Sequence, residues 1–208
     1  MAAKGAPPAD SYSQTQRMLI RRFVRPVLLP LTTPILRALT ALHVSPNALS
    51  LLQIPLGVLM VLVIHESHAA VIGLMLACFA LDGLDGLLAR YSGQASTYGA
   101  LVDQCADQIR EVLTVAAVAQ NGALSALVAT LYGVLYPLSN AALYLINLHG
   151  GRVAPTFKSV LTFYPFLLLY LLGGANWLEA AGWLTVAAMA LTVGLSVHQL
   201  GRLLPREL

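Results

Sequence analysis

The chain has 208 residues, of which 58% are hydrophobic and only 10% charged; an ordinary soluble domain carries roughly 25% charged residues. With a mean hydropathy of +0.74, this composition excludes a typical soluble enzyme and predicts an integral membrane protein of one domain. The net charge of +3 is too small to point to nucleic acid, and no aromatic–basic interleaving occurs.

In chain order, residues 1–12 are poor in apolar side chains and are expected to be a disordered tail. No short apolar run precedes a small-residue cleavage site, so no secretory signal peptide is expected. Residues 13–44 place Arg17, Arg21, Arg22, Arg25 and Arg37 among apolar side chains. Pro26, Pro30 and Pro34 are expected to break any long helix there. This part reads as one or two short amphipathic juxtamembrane segments lying on an anionic membrane surface. The alternative, an extra span over Pro26 to Leu42, is too short and too interrupted.

Residues 45–208 are expected to form a catalytic domain of six transmembrane helices. A spanning helix needs about 20 mostly apolar residues. Candidates run over about Ser45–Ile64, Ala69–Arg90, Gly99–Gln120, Ala123–Leu148, Phe157–Leu172 and Trp177–Leu200. Ser45 is placed to cap the first of them, with Pro46 at its first helical position. Three intervening loops, His65–His68, Asn121–Gly122 and Gly173–Asn176, contain no Lys or Arg. All 12 basic residues of the chain therefore fall on the other side. The positive-inside rule puts both termini there, facing the cytoplasm. The fold class is thus an all-α, multi-pass membrane protein, expected in a prokaryotic plasma membrane. Cys78 and Cys105 lie in expected helices and are too few for a disulfide framework.

The chemistry is concentrated in the second and third spans. Asp82 and Asp85 are three apart and share a helix face; Asp103 and Asp107 are four apart and share another. Each carboxylate within a membrane costs roughly 2.5–3.5 kcal/mol, so four cost on the order of 10 kcal/mol if uncompensated. A pair of hard divalent cations with oxygen ligands is the natural offset. Such a centre suits phosphoryl transfer: it neutralises a pyrophosphate, orients an alcohol and leaves one carboxylate to take a proton. Gly86 and Ala89 continue the face of Asp82 and leave room for a ligand or a neighbouring helix. Arg90 closes that helix, where a cation is favoured and can reach phosphate. A set of buried ion pairs fails on counting, because only Arg90 and Arg110 are near and Glu111 adds a further negative charge. An ion channel is disfavoured by the tight spacing, and no inverted repeat suggests a transporter.

The full pattern is Asp82-x-x-Asp85-Gly86-x-x-Ala89-Arg90, eight residues, then Gly99-x-x-x-Asp103-x-x-x-Asp107. It resembles the signature of the CDP-alcohol phosphotransferases, also called CDP-alcohol phosphatidyltransferases, over about Leu31 to Glu111. The resemblance implies phospholipid biosynthesis by metal-dependent transfer of a phosphatidyl group from CDP-diacylglycerol to a polar alcohol, with release of CMP. It implies two divalent cations, Mg2+ or Mn2+, on Asp82, Asp85, Asp103 and Asp107, with Asp107 as proton acceptor. It implies that Asn47, Ser50, Gly86, Ala89, Arg90 and Ser96 bind the CDP-linked donor. Similar enzymes are commonly homodimers. The N-terminal half, with Leu31-Thr32-Thr33-Pro34-Ile35, Arg37 and Ser45-Pro46-Asn47, looks like the bacterial phosphatidylinositol-phosphate synthases. Gln108 stands where that branch usually has Arg and the glycerol-phosphate branch has Lys, and residues 144–148 lack basic side chains. The acceptor is therefore expected to be a polyol phosphate, inositol phosphate or glycerol 3-phosphate. The alternatives are a CDP-aminoalcohol phosphotransferase acting on a lipid alcohol, and a non-catalytic lipid-binding scaffold.

Three further cations carry open readings. Arg110 either pairs with Asp107 or Glu111, or binds the phosphate of an acceptor. Arg152 and Lys158 either bind an anionic acceptor or serve only as topology signals. His65 and His68 read as solvated loop residues.

Overall fold

A computed structural model describes residues 25–149 and 159–203. All regular structure among them is helical: α1 (Arg25–Ala41), α2 (Pro46–Val63), α3 (His68–Tyr91), α4 (Thr97–Gln120), α5 (Ala126–Leu148), α6 (Ser159–Thr162), α7 (Tyr164–Leu171) and α8 (Leu178–Leu203). Each of α2 to α5 opens on a serine. The hydroxyls of Ser45, Ser67, Ser96 and Ser125 accept from the N–H groups of Ala48, Ala70, Gly99 and Val128. Such a cap typically contributes about 1 kcal/mol, and it fixes where each helix starts.

Four helices, α2, α3, α5 and α8, are long and apolar enough to cross a membrane. In each, between 28% and 33% of the apolar stretch is buried inside the protein. The remainder is apolar exterior: Leu62, Leu76, Leu127 and Leu184 are all more than half exposed. So much contiguous exposed hydrocarbon is stable only against lipid, and the chain is a membrane protein. Helix α4 is equally long but carries Asp103, Asp107, Arg110 and Glu111.

Two expectations are corrected. The stretch expected as a single fifth span is broken at Phe163 into α6 and α7, of 4 and 8 residues. Pro165 sits in the first turn of α7; without an N–H it cannot bond back to the carbonyl of Leu161 in α6, so the helical ladder is interrupted between the two. In the other direction, Pro26, Pro30 and Pro34 do not break α1, which runs 17 residues through all three. Pro26 lies in the first turn, where its missing N–H has no helical partner anyway. Pro30 and Pro34 are four apart, so their lost hydrogen bonds fall on one face. Residues 1–24 lie outside the described residues, and with them the expected disordered tail and the part of the juxtamembrane segment that carries Arg17, Arg21 and Arg22.

Helix α2 runs against both α3 and α4, while α8 lies along α5. The main core joins α2, α3, α4, α5, α7 and α8 around Met60, Cys78, Val118, Tyr132, Phe163 and Met189. A smaller cluster of Leu36, Leu49, Leu87 and Leu88 docks α1 on the ends of α2 and α3. Glycines set the closest seams. A Cβ on Gly57 would lie 2.9 Å from Leu113 Cδ1 and 3.6 Å from Arg110 Cα. A Cβ on Gly182 would lie 2.6 Å from Val128 Cγ1 and 3.0 Å from Leu124 Cδ1. Overpacking of this kind typically costs about 1–3 kcal/mol. Gly182→Ala is therefore expected to lower the melting temperature in detergent by several degrees; an unchanged melting curve would show the α5–α8 seam to be loose.

Candidate active site

The site forms where α2, α3 and the start of α4 meet. Asp82 and Asp85 come from one face of α3, and Asp103 from the facing side of α4. One carboxylate oxygen from each of Asp82, Asp85 and Asp103 lies within 4.8 Å of the other two. Asp85 is buried. One of its oxygens accepts from Ser50 Oγ at 2.5 Å, and the other from the N–H of Gly86. One anchor comes from α2 and the other from the adjacent backbone, so together they fix the carboxylate's orientation. Asp103 Oδ1 is buried and has no hydrogen-bond partner. An unpaired buried carboxylate oxygen costs several kcal/mol on general grounds, so the site favours an added cation.

A magnesium-sized ion binds oxygens at about 2.1 Å in octahedral geometry, which places neighbouring oxygens about 3 Å apart and opposite ones about 4.2 Å apart. The three aspartates fit such an ion with small adjustments. Asp107 follows Asp103 by one turn on α4 and stands outside this group of three. Its Oδ1 is engaged by Arg110 Nη2 at 3.1 Å.

Beside the acids opens a cleft lined by Asn47, Ser50, Gly86, Ala89, Arg90 and Ser96, with Asp85 and Asp103 on its wall. All six residues expected to hold the donor are thus brought to one place. Two glycines shape it. A Cβ on Gly86 would meet the Arg90 guanidinium at 3.3 Å, and a Cβ on Gly99 would meet Asn47 Oδ1 and Ser96 Oγ, both at 3.3 Å. Gly86 therefore gives the Arg90 side chain room to fold back over α3, and Gly99 lets the start of α4 approach Asn47.

Of the two readings of Arg110, the structure supports pairing with Asp107. The side chain is buried and does not line the cleft. Glu111 is not its direct partner; the two Glu111 oxygens accept from Tyr132 and Tyr164. Arg152 and Lys158 lie outside the described residues. His65 is exposed, as expected, beside Gln120; His68, expected in a solvated loop, instead opens α3 half-buried, against the Tyr170 ring and Asn121.

Three residues of the site carried no expectation. Tyr132 and Tyr164 are remote in sequence, and nothing in the pattern links them to Glu111. Gln53 is fully buried with both ends of its amide unpartnered. It lies three residues after Ser50, hence on the same face of α2, and its backbone carbonyl, not its amide, accepts from Cys78 Sγ at 4.0 Å. A lone amide inside an apolar helix was the signal that could have found it.

Residues 43–196 match the model of the CDP-alcohol phosphatidyltransferase family. That match spans well over half of the chain, which therefore belongs to this family: it is a phosphatidyltransferase of phospholipid biosynthesis. Among solved structures, the chain is similar to the phosphatidylinositol phosphate synthase of Mycobacterium tuberculosis. Against its apo form the identity is 18% and the TM-score 0.61, covering 79% of this chain and 93% of that one. Against its complex with manganese and citrate the identity is 20% and the TM-score 0.62, covering 80% and 87%. At these identities the likeness shows a shared fold. No curated protein matches the chain.

Proposed function

We propose that the chain transfers a phosphatidyl group from CDP-diacylglycerol to a polyol phosphate, either inositol phosphate or glycerol 3-phosphate, and releases CMP. The observation that carries this reading is the convergence of Asp82, Asp85 and Asp103, two of which, Asp85 and Asp103, wall the cleft that also holds Asn47, Gly86 and Arg90. Asp82, Asp85 and Asp103, joined by Asp107, would hold two divalent cations. The manganese in the Mycobacterium tuberculosis relative supports Mg2+ or Mn2+ in that role. Bound there, the ions would neutralise the pyrophosphate of the donor. Asn47, Ser96 and Arg90 hold the nucleotide and its phosphates, and the diacyl tails remain in the bilayer. Asp107 takes the proton of the acceptor hydroxyl. The alcohol oxygen bonds to the phosphatidyl phosphorus, the bond from that phosphorus to the CMP oxygen breaks, and CMP leaves with the electron pair.

The reading includes six membrane crossings over residues 45–208, with α4 and the α6–α7 pair completing the four apolar helices. The acids and both termini then face the cytoplasm, where CDP-linked donors are soluble at their heads. Purified protein given CDP-diacylglycerol, manganese or magnesium, and each acceptor in turn is expected to release CMP with one polyol phosphate. Release with neither, or release only with a lipid alcohol and a CDP-aminoalcohol, would overturn the proposal.

A further inference from the structure

Behind the acids lies a hydrogen-bonded chain that the reaction above does not use. Glu111 is 2% exposed, and each of its oxygens accepts a tyrosine hydroxyl at 2.6 Å: Oε1 from Tyr132 on α5 and Oε2 from Tyr164 on α7. Tyr164 Oη in turn accepts from Arg110 Nη1 at 3.4 Å, and Arg110 Nη2 donates to Asp107 Oδ1 at 3.1 Å. The guanidinium also lies over the Phe79 ring, 5.2 Å from its centre. Arg110 itself is only 5% exposed.

Two physical points follow. Both terminal nitrogens are engaged and one face is covered by an aromatic ring; Nε has no partner, but the group is buried and away from the cleft, so it is not presented to a phosphate there. And a buried cation beside Asp107 would by itself cancel the negative charge that a proton acceptor or metal ligand needs. Glu111 supplies the balancing charge one residue away, while the tyrosines satisfy its oxygens so that it does not compete for the guanidinium.

We propose that Glu111, Tyr132 and Tyr164 form a positioning clamp for Asp107: they fix the Arg110 guanidinium on one oxygen of that carboxylate and leave the other for the reaction. On this assignment α5 and the broken helix at α6–α7 serve the reaction as well as the fold, because each contributes one hydroxyl to the clamp. The inference rests on the reading of Asp107 as proton acceptor.

Tyr164→Phe keeps the ring and removes only the hydroxyl. Misplacing a reacting group by 1 Å costs on the order of 10²-fold, and this milder loosening is expected to lower kcat about 10-fold while the KM values for donor and acceptor stay within about twofold. A merely structural contact would lower the melting temperature and leave kcat per folded enzyme unchanged, which overturns the clamp. A raised acceptor KM with kcat preserved also overturns it, since Arg110 would then grip the acceptor. A thermal double-mutant cycle gives a readout that needs no turnover. Tyr164 and Asp107 are linked through Arg110, so the melting shifts of Tyr164→Phe and Asp107→Asn are expected to be non-additive; additive shifts overturn the clamp. If the wild-type protein releases no CMP with any acceptor, the reading of Asp107 fails, and the cycle alone decides whether the clamp exists. Should Tyr164→Phe not fold, Tyr132→Phe carries the same two measurements.

Discussion

Asp107→Asn is expected to lower CMP release by about 10³-fold or more while leaving the protein folded and able to bind the donor. The substitution keeps the shape of the side chain and an oxygen that can still accept from Arg110 Nη2, now at 3.1 Å from Oδ1. It removes the negative charge and the capacity to take a proton. A positioned general base contributes about 10²–10⁴-fold, and loss of a metal ligand adds to that. The three clustered acids and the cleft residues do not include Asp107, so stabilisation of the protein by CDP in a melting assay is expected to persist. Turnover within tenfold of the wild type would remove Asp107 from the reaction.

Asp103→Asn is expected to act differently. Asp103 contributes one of the three mutually close oxygens and also holds the buried oxygen without a partner. An amide in its place is a weaker ligand for a hard cation, because it brings no charge. Manganese affinity is expected to fall by at least about 100-fold, with turnover falling alongside it and partly recovering at high manganese. Chelation of metal from the wild-type protein is expected to stop CMP release, and added Mg2+ or Mn2+ to restore it. Electron paramagnetic resonance of bound manganese reads the affinity directly. A variant that binds manganese as tightly as the wild type would show that the metal sits elsewhere.

Much of the site was legible because its residues are local in sequence and costly in their surroundings. Four aspartates at helical spacings inside apolar segments have few uses, and Asp82, Asp85 and Asp103 do converge. The cap of α2 was equally legible, since Ser45 stands immediately before Pro46 and a long apolar run; the caps at Ser67, Ser96 and Ser125 carried no such expectation. What was hidden depends on packing between distant segments. Nothing in the spacing links Tyr132, 21 residues from Glu111, or Tyr164, 53 residues from it, to that carboxylate. Their pairing exists because α5 packs against α4, while α7 packs against α3 and α8 and sends the Tyr164 hydroxyl across to Glu111. Proline misled in both directions. Three prolines at intervals of four were read as helix breakers, yet α1 runs through them. The break in the expected fifth span comes at Phe163, two residues before Pro165, which the hydropathy of that stretch concealed.

The burial of Arg110 and Glu111 in α4 bears on how the chain enters a membrane. A segment with four charged side chains is poorly received as an isolated helix, since each costs roughly 2.5–3.5 kcal/mol near the bilayer centre. Its neighbours supply what lipid withholds: Phe79 and Gly57 accommodate Arg110, and the hydroxyls on α5 and α7 quench Glu111. The last of these groups, on α7, is synthesised some 50 residues after α4. On the six-crossing reading proposed above, the nascent α4 is therefore expected to need shelter from the insertion machinery or from α2 and α3 until the C-terminal portion of the chain has been made.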